Sequence, residues 1–320
     1  MVEQLQQQKQ AKGQHMTQNT SYTRSILALI ALALLAALPA ASHAQCARQQ
    51  AKLLASDGAT GDEFGFSVSI SGNVAIVGSQ GDDDNGADSG SAYIFAFDGT
   101  TWVLQRKLVP VDGAAGDLFG ESVSISGDVA IVGAPLDDDN GDRSGSAYIY
   151  RFDGTTWSQE QKLLASDGAE RDFFGISVSI SGDVAVVGAL DDDDNGTDSG
   201  SAYVFRFDGT TWTHEQKLLA SDGAAEDFFG DSVSISGDVA IVGADGNDDN
   251  GPESGSAYMF TGVAGCLADL TGDCQTDVLD FFVFGGLFGT DDPRADLDGD
   301  GSVNVLDFFV FVAAFAAGCP

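Results

Sequence analysis

A unit of 55 residues is written four times along this chain, and the period constrains the fold more than any single residue does. A Phe-Gly pair and an Asn-Gly pair each recur at intervals of 55 residues. The Phe-Gly pairs begin at Phe64, Phe119, Phe174 and Phe229, and the Asn-Gly pairs begin at Asn85, Asn140, Asn195 and Asn250. Such a period predicts a stack of similar supersecondary units, which displays a surface more often than it builds one unique catalytic pocket.

Each unit holds four short runs of alternating, strand-type composition. Ser-Gly-Asp and Asp-Gly-Thr turns between these runs are hairpin signals. Four antiparallel strands per unit predict the blade of a β-propeller. The chain lacks sustained helical periodicity between residues 45 and 276, which excludes a parallel α/β fold. In copy three the runs span 174–181, 183–189, 200–207 and 211–220, and in its third run Tyr203, Phe205 and Phe207 are expected on one face, with Val204 and Arg206 on the other.

The two ends of the repeated region are incomplete in complementary ways. The region begins with an isolated fourth strand at about 49–56 and ends after a third strand at 255–260. If the first strand supplies the missing one, the sheet has no open edges. The sequence therefore predicts a mainly β fold, a propeller of four four-stranded blades closed by the N-terminal strand. An open array and completion by a second chain are the alternatives. The repeats are placed at about 52–106, 107–161, 162–216 and 217–263.

The Phe-Gly pair, followed by a Gly-Ala-Pro type turn such as Gly133-Ala134-Pro135, resembles the FG-GAP repeat over about residues 50–262. This resemblance implies the blade unit of the integrin α-chain propeller and of many secreted bacterial proteins. Integrin blades carry a calcium loop between their first two strands. Here that turn is only Ser-Gly-Asp or Ser-Gly-Asn, so the integrin calcium site does not carry over.

The N-terminal region reads as a targeting segment. Residues 26–38 are apolar but too short to span a bilayer, Arg24 precedes them, and small residues stand at Ser42 and Ala44. This pattern predicts a secretory signal peptide at 1–44, and no later segment is predicted to span a membrane. We therefore expect an extracellular protein on a bacterial cell surface, with a propeller at 45–263 and a second domain at 264–320.

The predicted exported chain is strongly acidic and contains an even number of cysteines. Removing residues 1–44 leaves 11 basic and 48 acidic residues, so nucleic acid and acidic lipid surfaces are poor partners, whereas divalent cations are good ones. Four cysteines in an exported chain suggest disulfides. Cys266 and Cys319 flank the last domain and could tie its ends together, but three connectivities are open among Cys46, Cys266, Cys274 and Cys319.

A shorter duplication, with a period of 27 residues, fills the C-terminal domain. Its second copy has the spacing of a calcium loop, in which hard oxygen ligands are wrapped by one turn of backbone. The predicted ligands are Asp296, Asp298, Asp300, Ser302 through its carbonyl, Asn304 and Asp307. The first copy places Asp269, Thr271, Asp273, Gln275, Asp277 and Asp280 at the matching positions. Both loops are expected to bind Ca²⁺, the first more weakly because Cys274 replaces the turn glycine.

Aspartate at the last loop position, and one helix after each loop, resemble the duplicated calcium module called a dockerin. Gly-Cys pairs at 265–266 and 318–319 are similar to the GC-type variant. This resemblance implies attachment to a cohesin-like protein or to a cell surface. Val278-Leu279 and Val305-Leu306 stand where cohesin-binding dockerins often have Ser-Thr, which leaves the partner open. The helix faces bearing Phe281, Phe284 and Phe288, and Phe308, Phe311 and Phe315, are expected to pack together. Phe282 and Phe309 point elsewhere, where packing is the commoner explanation and an exposed docking patch is the alternative.

Each blade also carries an acidic loop after its second strand. Closely spaced carboxylates repel one another unless a cation or water screens them, so weak calcium binding is one interpretation. The alternative is a polar loop that turns at its Asn-Gly pair. The candidate ligands are Asp82, Asp84, Asp137, Asp139, Asp192, Asp194 and Asp248.

No catalytic constellation stands out in the sequence. The predicted exported chain keeps one histidine, His214, and no Ser/His/Asp set or zinc cluster can be assembled around it. We therefore expect a non-catalytic binding or adhesion protein that presents a protein or glycan ligand site on its propeller. The alternative is a carbohydrate-active enzyme, or an accessory subunit, in a dockerin-assembled complex that degrades polysaccharide.

Overall fold

The computed structural model describes residues 48–263, 265, 278–290, 295, 297 and 302–317. Its strands form four antiparallel sheets, one for each repeat, which we call blades one to four. Blade one contains β1 (Val68–Ser71), β2 (Val74–Ser79), β3 (Ser91–Phe97) and β4 (Trp102–Leu108). Blade two contains β5 (Val123–Ser126), β6 (Val129–Ala134), β7 (Ser146–Phe152) and β8 (Trp157–Leu163). Blade three contains β9 (Val178–Ser181), β10 (Val184–Ala189), β11 (Ser201–Phe207) and β12 (Trp212–Leu218), and blade four contains β13 (Phe229–Ser236), β14 (Val239–Ala244) and β15 (Ser256–Thr261).

The blades stack face against face, and the alternation within each strand decides which blade a side chain meets. Tyr203 and Phe205 of β11 pack with blade two, whereas Val204 packs with blade four. The predicted alternation of this strand is thereby confirmed. Blades two and three thus bury both of their faces between neighbours, and the core is a series of apolar layers between the sheets rather than one central cluster.

A ladder of serine hydroxyls joins the first strands of successive blades. Ser69 Oγ accepts a hydrogen bond from the Ile125 N–H at 3.2 Å, and Ser124 Oγ accepts one from the Ile180 N–H at 3.1 Å. Ser179 Oγ accepts one from Ile235 N–H at 3.0 Å. These short strands lie beside one another, so the ladder satisfies backbone donors that no sheet partner reaches.

The Phe-Gly and Gly-Ala elements meet at the same interfaces. Phe174 is fully buried and packs edge-on against Tyr203, with 5.3 Å between ring centroids. Gly175 adopts a φ of +95°, which favours glycine. A Cβ on Gly133 of the preceding blade would overlap the Gly175 carbonyl oxygen. The repeat motif therefore fixes a close backbone approach between consecutive blades.

The predicted closure of the ring by the N-terminal strand is not seen. Residues 48–55 form no strand, and blade four has three strands, so the expected count of four complete four-stranded blades is corrected to three complete blades and one of three strands. Leu53 and Ala55 pack instead on the apolar side chains of blade one. Val68 and Ile70 of β1 remain 68% and 64% exposed, whereas their counterparts Val123 and Ile125 are buried. The described array is open at both ends.

Two helices, α1 (Val278–Phe288) and α2 (Val305–Ala317), follow the blades in the C-terminal region. They pack through the predicted phenylalanine faces, and the rings of Phe284 and Phe311 stack with centroids 4.1 Å apart. Phe282 and Phe309 are 69% and 61% exposed, so these two rings lie outside the core, and the packing that the sequence favoured for them is wrong. Among the described helices, none has the length and apolarity needed to cross a membrane. The predicted signal peptide at 1–44 and all four cysteines lie outside the described residues.

Candidate functional site: the acidic loops and the C-terminal helices

A lysine lies at the centre of the acidic loop in each of the first three blades. In blade two, Lys162 Nζ at the end of β8 lies 2.9 Å from Asp112, 2.9 Å from Asp137 and 2.6 Å from Asp139. We call this arrangement a lysine node. Its equivalents are Lys107 with Asp57, Asp82 and Asp84, and Lys217 with Asp167, Asp192 and Asp194.

The node lies at the edge of the apolar core. The Asp137 side chain is 5% exposed, and it also accepts a hydrogen bond from the Tyr148 hydroxyl at 3.0 Å. Burial by itself would lower the pKa of Lys162, but its hydrogen bonds with Asp139 and Asp137 outweigh that effect, so the pKa is raised. Burial opposes ionisation of Asp112, and its contact with Lys162 overcomes this and lowers the pKa. Each node therefore places an internal cation against a buried carboxylate.

A second set of aspartates hydrogen-bonds to the backbone of the same acidic loop. Asp138 Oδ1 accepts a hydrogen bond from the backbone N–H of Arg143 at 2.8 Å, and Arg143 has a φ of +57°. The other blades repeat this bond with Asp88, Asp198 or Glu253 in place of Arg143. The contact uses the backbone, so side-chain charge at this position is not fixed. This explains why the loop position of Arg143 carries an acidic residue in the other three copies.

The aspartates predicted as calcium ligands in the blades are the residues that make these contacts. Asp82, Asp84, Asp137, Asp139, Asp192 and Asp194 contact a node lysine, and Asp248 accepts the Glu253 N–H at 2.7 Å. Within the described ranges, no group of three or more His, Cys, Asp or Glu residues is arranged to hold a metal ion. Calcium binding here stays a prediction, in competition with the lysine ammonium. Sequence reasoning missed this lysine, although it recurs with the 55-residue period at Lys52, Lys107, Lys162 and Lys217.

Blade four departs from the other three. Asn247 occupies the position of Asp137, and its Nδ2 lies 3.4 Å from the Tyr258 hydroxyl. Burial, followed by hydrogen bonding to Asp222, raises the pKa of Tyr258 to about 12. In the described part of the chain, Asp222 and Asp249 form no ion pair, because blade four has no fourth strand to carry a lysine. This blade lacks the cation that the others have.

Blade three carries one carboxylate that the repeat does not share. Asp191 stands where blade two has Leu136, and its Oδ1 is buried without a hydrogen-bond partner. Burial, then the charges of Asp198 and Asp193, raise its pKa to about 6. The folded state therefore holds a proton that the unfolded chain releases, and ionisation of Asp191 opposes folding above about pH 6.

Asp191→Leu is therefore expected to stabilise the protein at neutral pH. The penalty of the ionised carboxylate disappears as the pH falls below about 4, where it is protonated in both states, so the advantage of the variant shrinks toward acid. A gain in Tm of about 2 °C at pH 7 is expected, because partial solvation reduces the effect. Thermal unfolding followed by circular dichroism at several pH values measures it. Equal gains at all pH values would show that apolar packing, and not titration, is responsible.

The C-terminal loop is described only in part. Asp307 is buried, and its two oxygens accept hydrogen bonds from the backbone N–H groups of Leu297 at 2.8 Å and Asn304 at 2.7 Å. Asn304 Oδ1 in turn accepts the Leu306 N–H at 2.9 Å, which makes a reciprocal cap at the start of α2. Asp280, at the matching position of α1, is also buried. Asp269, Thr271, Asp273, Gln275, Asp277, Asp296, Asp298 and Asp300 lie outside the described residues.

The described donors fit a hard cation. Ser302, Asn304 and Asp307 each carry an oxygen atom of the kind that Ca²⁺ takes as a ligand. The cap holds Asp307 at the junction between loop and helix, so that an ion bound in the loop would also fix the first turn of α2. The ligand chemistry is consistent with the calcium prediction.

Both helices expose apolar side chains at matching positions of the 27-residue duplication. Val278 and Phe282 lie one turn apart on α1, and Val305 and Phe309 lie one turn apart on α2. All four are more than half exposed. We call these four residues the helix patch. Its large apolar side chains face solvent in the described structure.

The stacked antiparallel sheets, joined by Phe-Gly and Gly-Ala contacts, define a repeat protein built from propeller-type blades. The family model described as "FG-GAP repeat" matches the chain four times, at residues 47–95, 102–150, 157–205 and 212–260. These matches cover more than half of the sequence, and the chain belongs to the FG-GAP repeat family. No curated protein matches it. The last three family units each begin with the fourth strand of one blade and continue with the first three strands of the next.

Proposed function

We propose that the chain is a secreted, non-catalytic binding protein that attaches to a protein scaffold or a cell surface through its C-terminal domain. The observation that carries this proposal is the helix patch. Val278 with Phe282, and Val305 with Phe309, expose the same residue types twice. A duplicated apolar surface on a small domain suits a protein partner of cohesin-like type.

The blades support the binding half of this proposal. The three lysine nodes have nearly the same distances. An arrangement that is repeated in three blades suits a regular binding surface rather than a single reaction centre. The carboxylates around Lys162, for example, are engaged with its ammonium group and with Tyr148. The loops are thus held in fixed shape and suit display of a protein or glycan ligand site.

We expect the C-terminal helices to form only with calcium. In the described part of the chain, α1 and α2 are the only helices, so ellipticity at 222 nm reports mainly on them. Chelation is expected to remove that helical signal, and Ca²⁺ is expected to restore it, because the loop ligands otherwise repel one another. Asp298→Ala with Asp300→Ala should abolish the calcium response. Identical spectra in calcium and in excess chelator would contradict the calcium site.

The attachment itself is tested by binding to surface proteins of the native organism, in calcium and in chelator. We expect Phe282→Ser with Phe309→Ser to abolish retention while leaving the 222 nm signal unchanged, because both rings are exposed. Val111→Ser, an exposed position in the blades, is the matched control and should bind normally. Retention by the double variant would remove the helix patch from the proposal.

The carbohydrate-active alternative is tested separately. The purified protein is expected to show no turnover on a panel of polysaccharides. Hydrolysis that is lost in Asp191→Leu would replace the binding proposal with an enzymatic one, because Asp191 is the acidic residue that sets the loop of blade three apart from its neighbours.

A further inference from the structure

The open ends of the array carry the two halves of one blade interface. Where blade two meets blade three, Val129 and Ile131 of the first pack against Val178 and Ile180 of the second. At the end of the array, Val239 and Ile241 stand in the positions of Val129 and Ile131 and are exposed, as is Met259 on the neighbouring strand. At its beginning, Val68 and Ile70 stand in the positions of Val178 and Ile180 and are also exposed.

Polar groups at the two ends match in the same way. The serine ladder spans a constant offset of 56 residues, from Ser124 to Ile180 and from Ser179 to Ile235. The next step would join Ser234 of blade four to the backbone N–H at the Ile70 position of a following blade one. Gly243 has no carbonyl of a following blade near its Cβ position, whereas a Cβ on Gly188 would overlap the Gly230 carbonyl. Blade four is thus built to receive a neighbour that the described chain does not provide.

The N-terminal segment of a second copy could supply the fourth strand that blade four lacks. β15 pairs only with β14 among the described strands, so its outer edge is open. In blade one, β3 pairs with β4 so that Tyr93 faces Lys107 and Ala92 faces Leu108. The same register on β15 would place Lys52 opposite Tyr258 and Leu53 opposite Ala257. Residues 52–58 repeat residues 162–168 without a change, and the first family match includes this segment.

Charge complementarity favours the same pairing. Lys52 is exposed, and it holds the repeat position of the three node lysines. Asp222 and Asp249 hold the positions of Asp167 and Asp194, which contact Lys217 at 2.9 and 2.7 Å. A strand that brings Lys52 to β15 would therefore build a fourth lysine node. It would also cover the sheet edge that β15 leaves open.

We propose that a second copy of this chain occupies these ends, so that blade four of one copy stacks on blade one of the other and takes residues 48–53 of that copy as its fourth strand. One copy cannot cover its own ends in the described arrangement, because Ile70 and Met259 are 64% and 63% exposed. The contact is head to tail, and two copies that exchange both ends form a closed ring. This association is independent of the attachment proposed for the helix patch.

Light scattering coupled to size-exclusion chromatography tests the association. The wild-type protein is expected to have twice the mass of one chain, and Ile70→Asp or Ile241→Asp is expected to run as a monomer, with association weakened at least about tenfold. Val111→Asp, which adds the same charge at an exposed loop, is the control and should remain a dimer. Because each variant damages only one end, a mixture of Ile70→Asp with Ile241→Asp should restore a dimer through the one intact interface.

Gly243→Ala provides a second variant that adds no charge. Its Cβ would meet only the movable Ser232 side chain within the chain, so the monomer should fold, while the close approach of a second copy is blocked. A wild-type protein that stays monomeric at all concentrations would overturn the proposal. In that case, hydrogen exchange at residues 48–53 would show whether the chain closes on itself, with protected amides, or stays open. Dimers that survive all three end variants would equally overturn it.

Discussion

Replacement of Lys162 by methionine is expected to destabilise the protein by about 3 kcal/mol, because it leaves a buried carboxylate group without its counter-ion. Lys162 contacts Asp112, Asp137 and Asp139, and its own side chain is 15% exposed. Methionine preserves most of the stem that packs near Tyr148, so the loss reports the charge rather than the packing. Urea unfolding, with the free energy extrapolated to water, measures this effect.

Blade four supplies the matched control for this experiment. It lacks the lysine and has Asn247 where the other blades have a buried aspartate. Adding Asp137→Asn to Lys162→Met should therefore recover most of the lost stability, because it removes the buried charge that the lysine balances. If the double variant is as unstable as the single one, the lysine acts through its packing and not through ion pairing.

Gly133→Ala is expected to cost about 3 kcal/mol, at the upper end of the range for overpacked cores. The new methyl group would overlap the Gly175 carbonyl oxygen, and neither sheet can shift easily, because both are held by strand pairing and by the serine ladder. The contact joins backbone to backbone, so rotation of a side chain cannot relieve it. Chemical denaturation of the variant and of the wild-type protein measures the difference in the free energy of unfolding.

Gly243→Ala is the control for the glycine prediction. Gly243 has the same place in β14 that Gly133 has in β6, but no following blade lies against it. In dilute solution, where the chain is monomeric, this variant should lose less than about 1 kcal/mol. Similar losses for the two variants would mean that the cost arises within one sheet and not between blades.

The sequence predicted the strands because their alternation and turns repeat four times. β9 to β12 fall inside the predicted runs of copy three. β9 begins only at Val178 because Phe174 bridges to Gly145 of the neighbouring blade and Gly175 adopts a positive φ, although Gly175 and Ser177 still hydrogen-bond to Gly188 of β10. The two C-terminal helices were predicted from the duplicated loop pattern, which places one helix after each loop, and the spacing of Phe284 and Phe311 then assigned the faces that pack. Local periodicity was sufficient for each of these elements.

Two features depended on contacts that the local pattern does not contain. The lysine node joins residues 25 and 50 positions apart, so an acidic loop read by itself suggested a metal ion instead of Lys162. Whether the blades close into a ring depends on the rotation between each blade and the preceding one. That rotation cannot be read from any single residue. The complementary ends were visible in the sequence, but whether one chain or two would join them was not.

The serine ladder has a consequence for how such a chain can change in length. Each step uses a donor and an acceptor supplied by the repeat itself, so every junction is equivalent to the next. The array behaves as a one-dimensional lattice with nearest-neighbour terms. Tandem duplication of one 55-residue unit would insert a blade that brings its own serine acceptor and its own backbone N–H donor. Deletion of an internal unit would likewise leave every remaining serine of the ladder with an N–H partner on the next blade. The number of blades is thus free to vary between descendants while the junction chemistry stays constant.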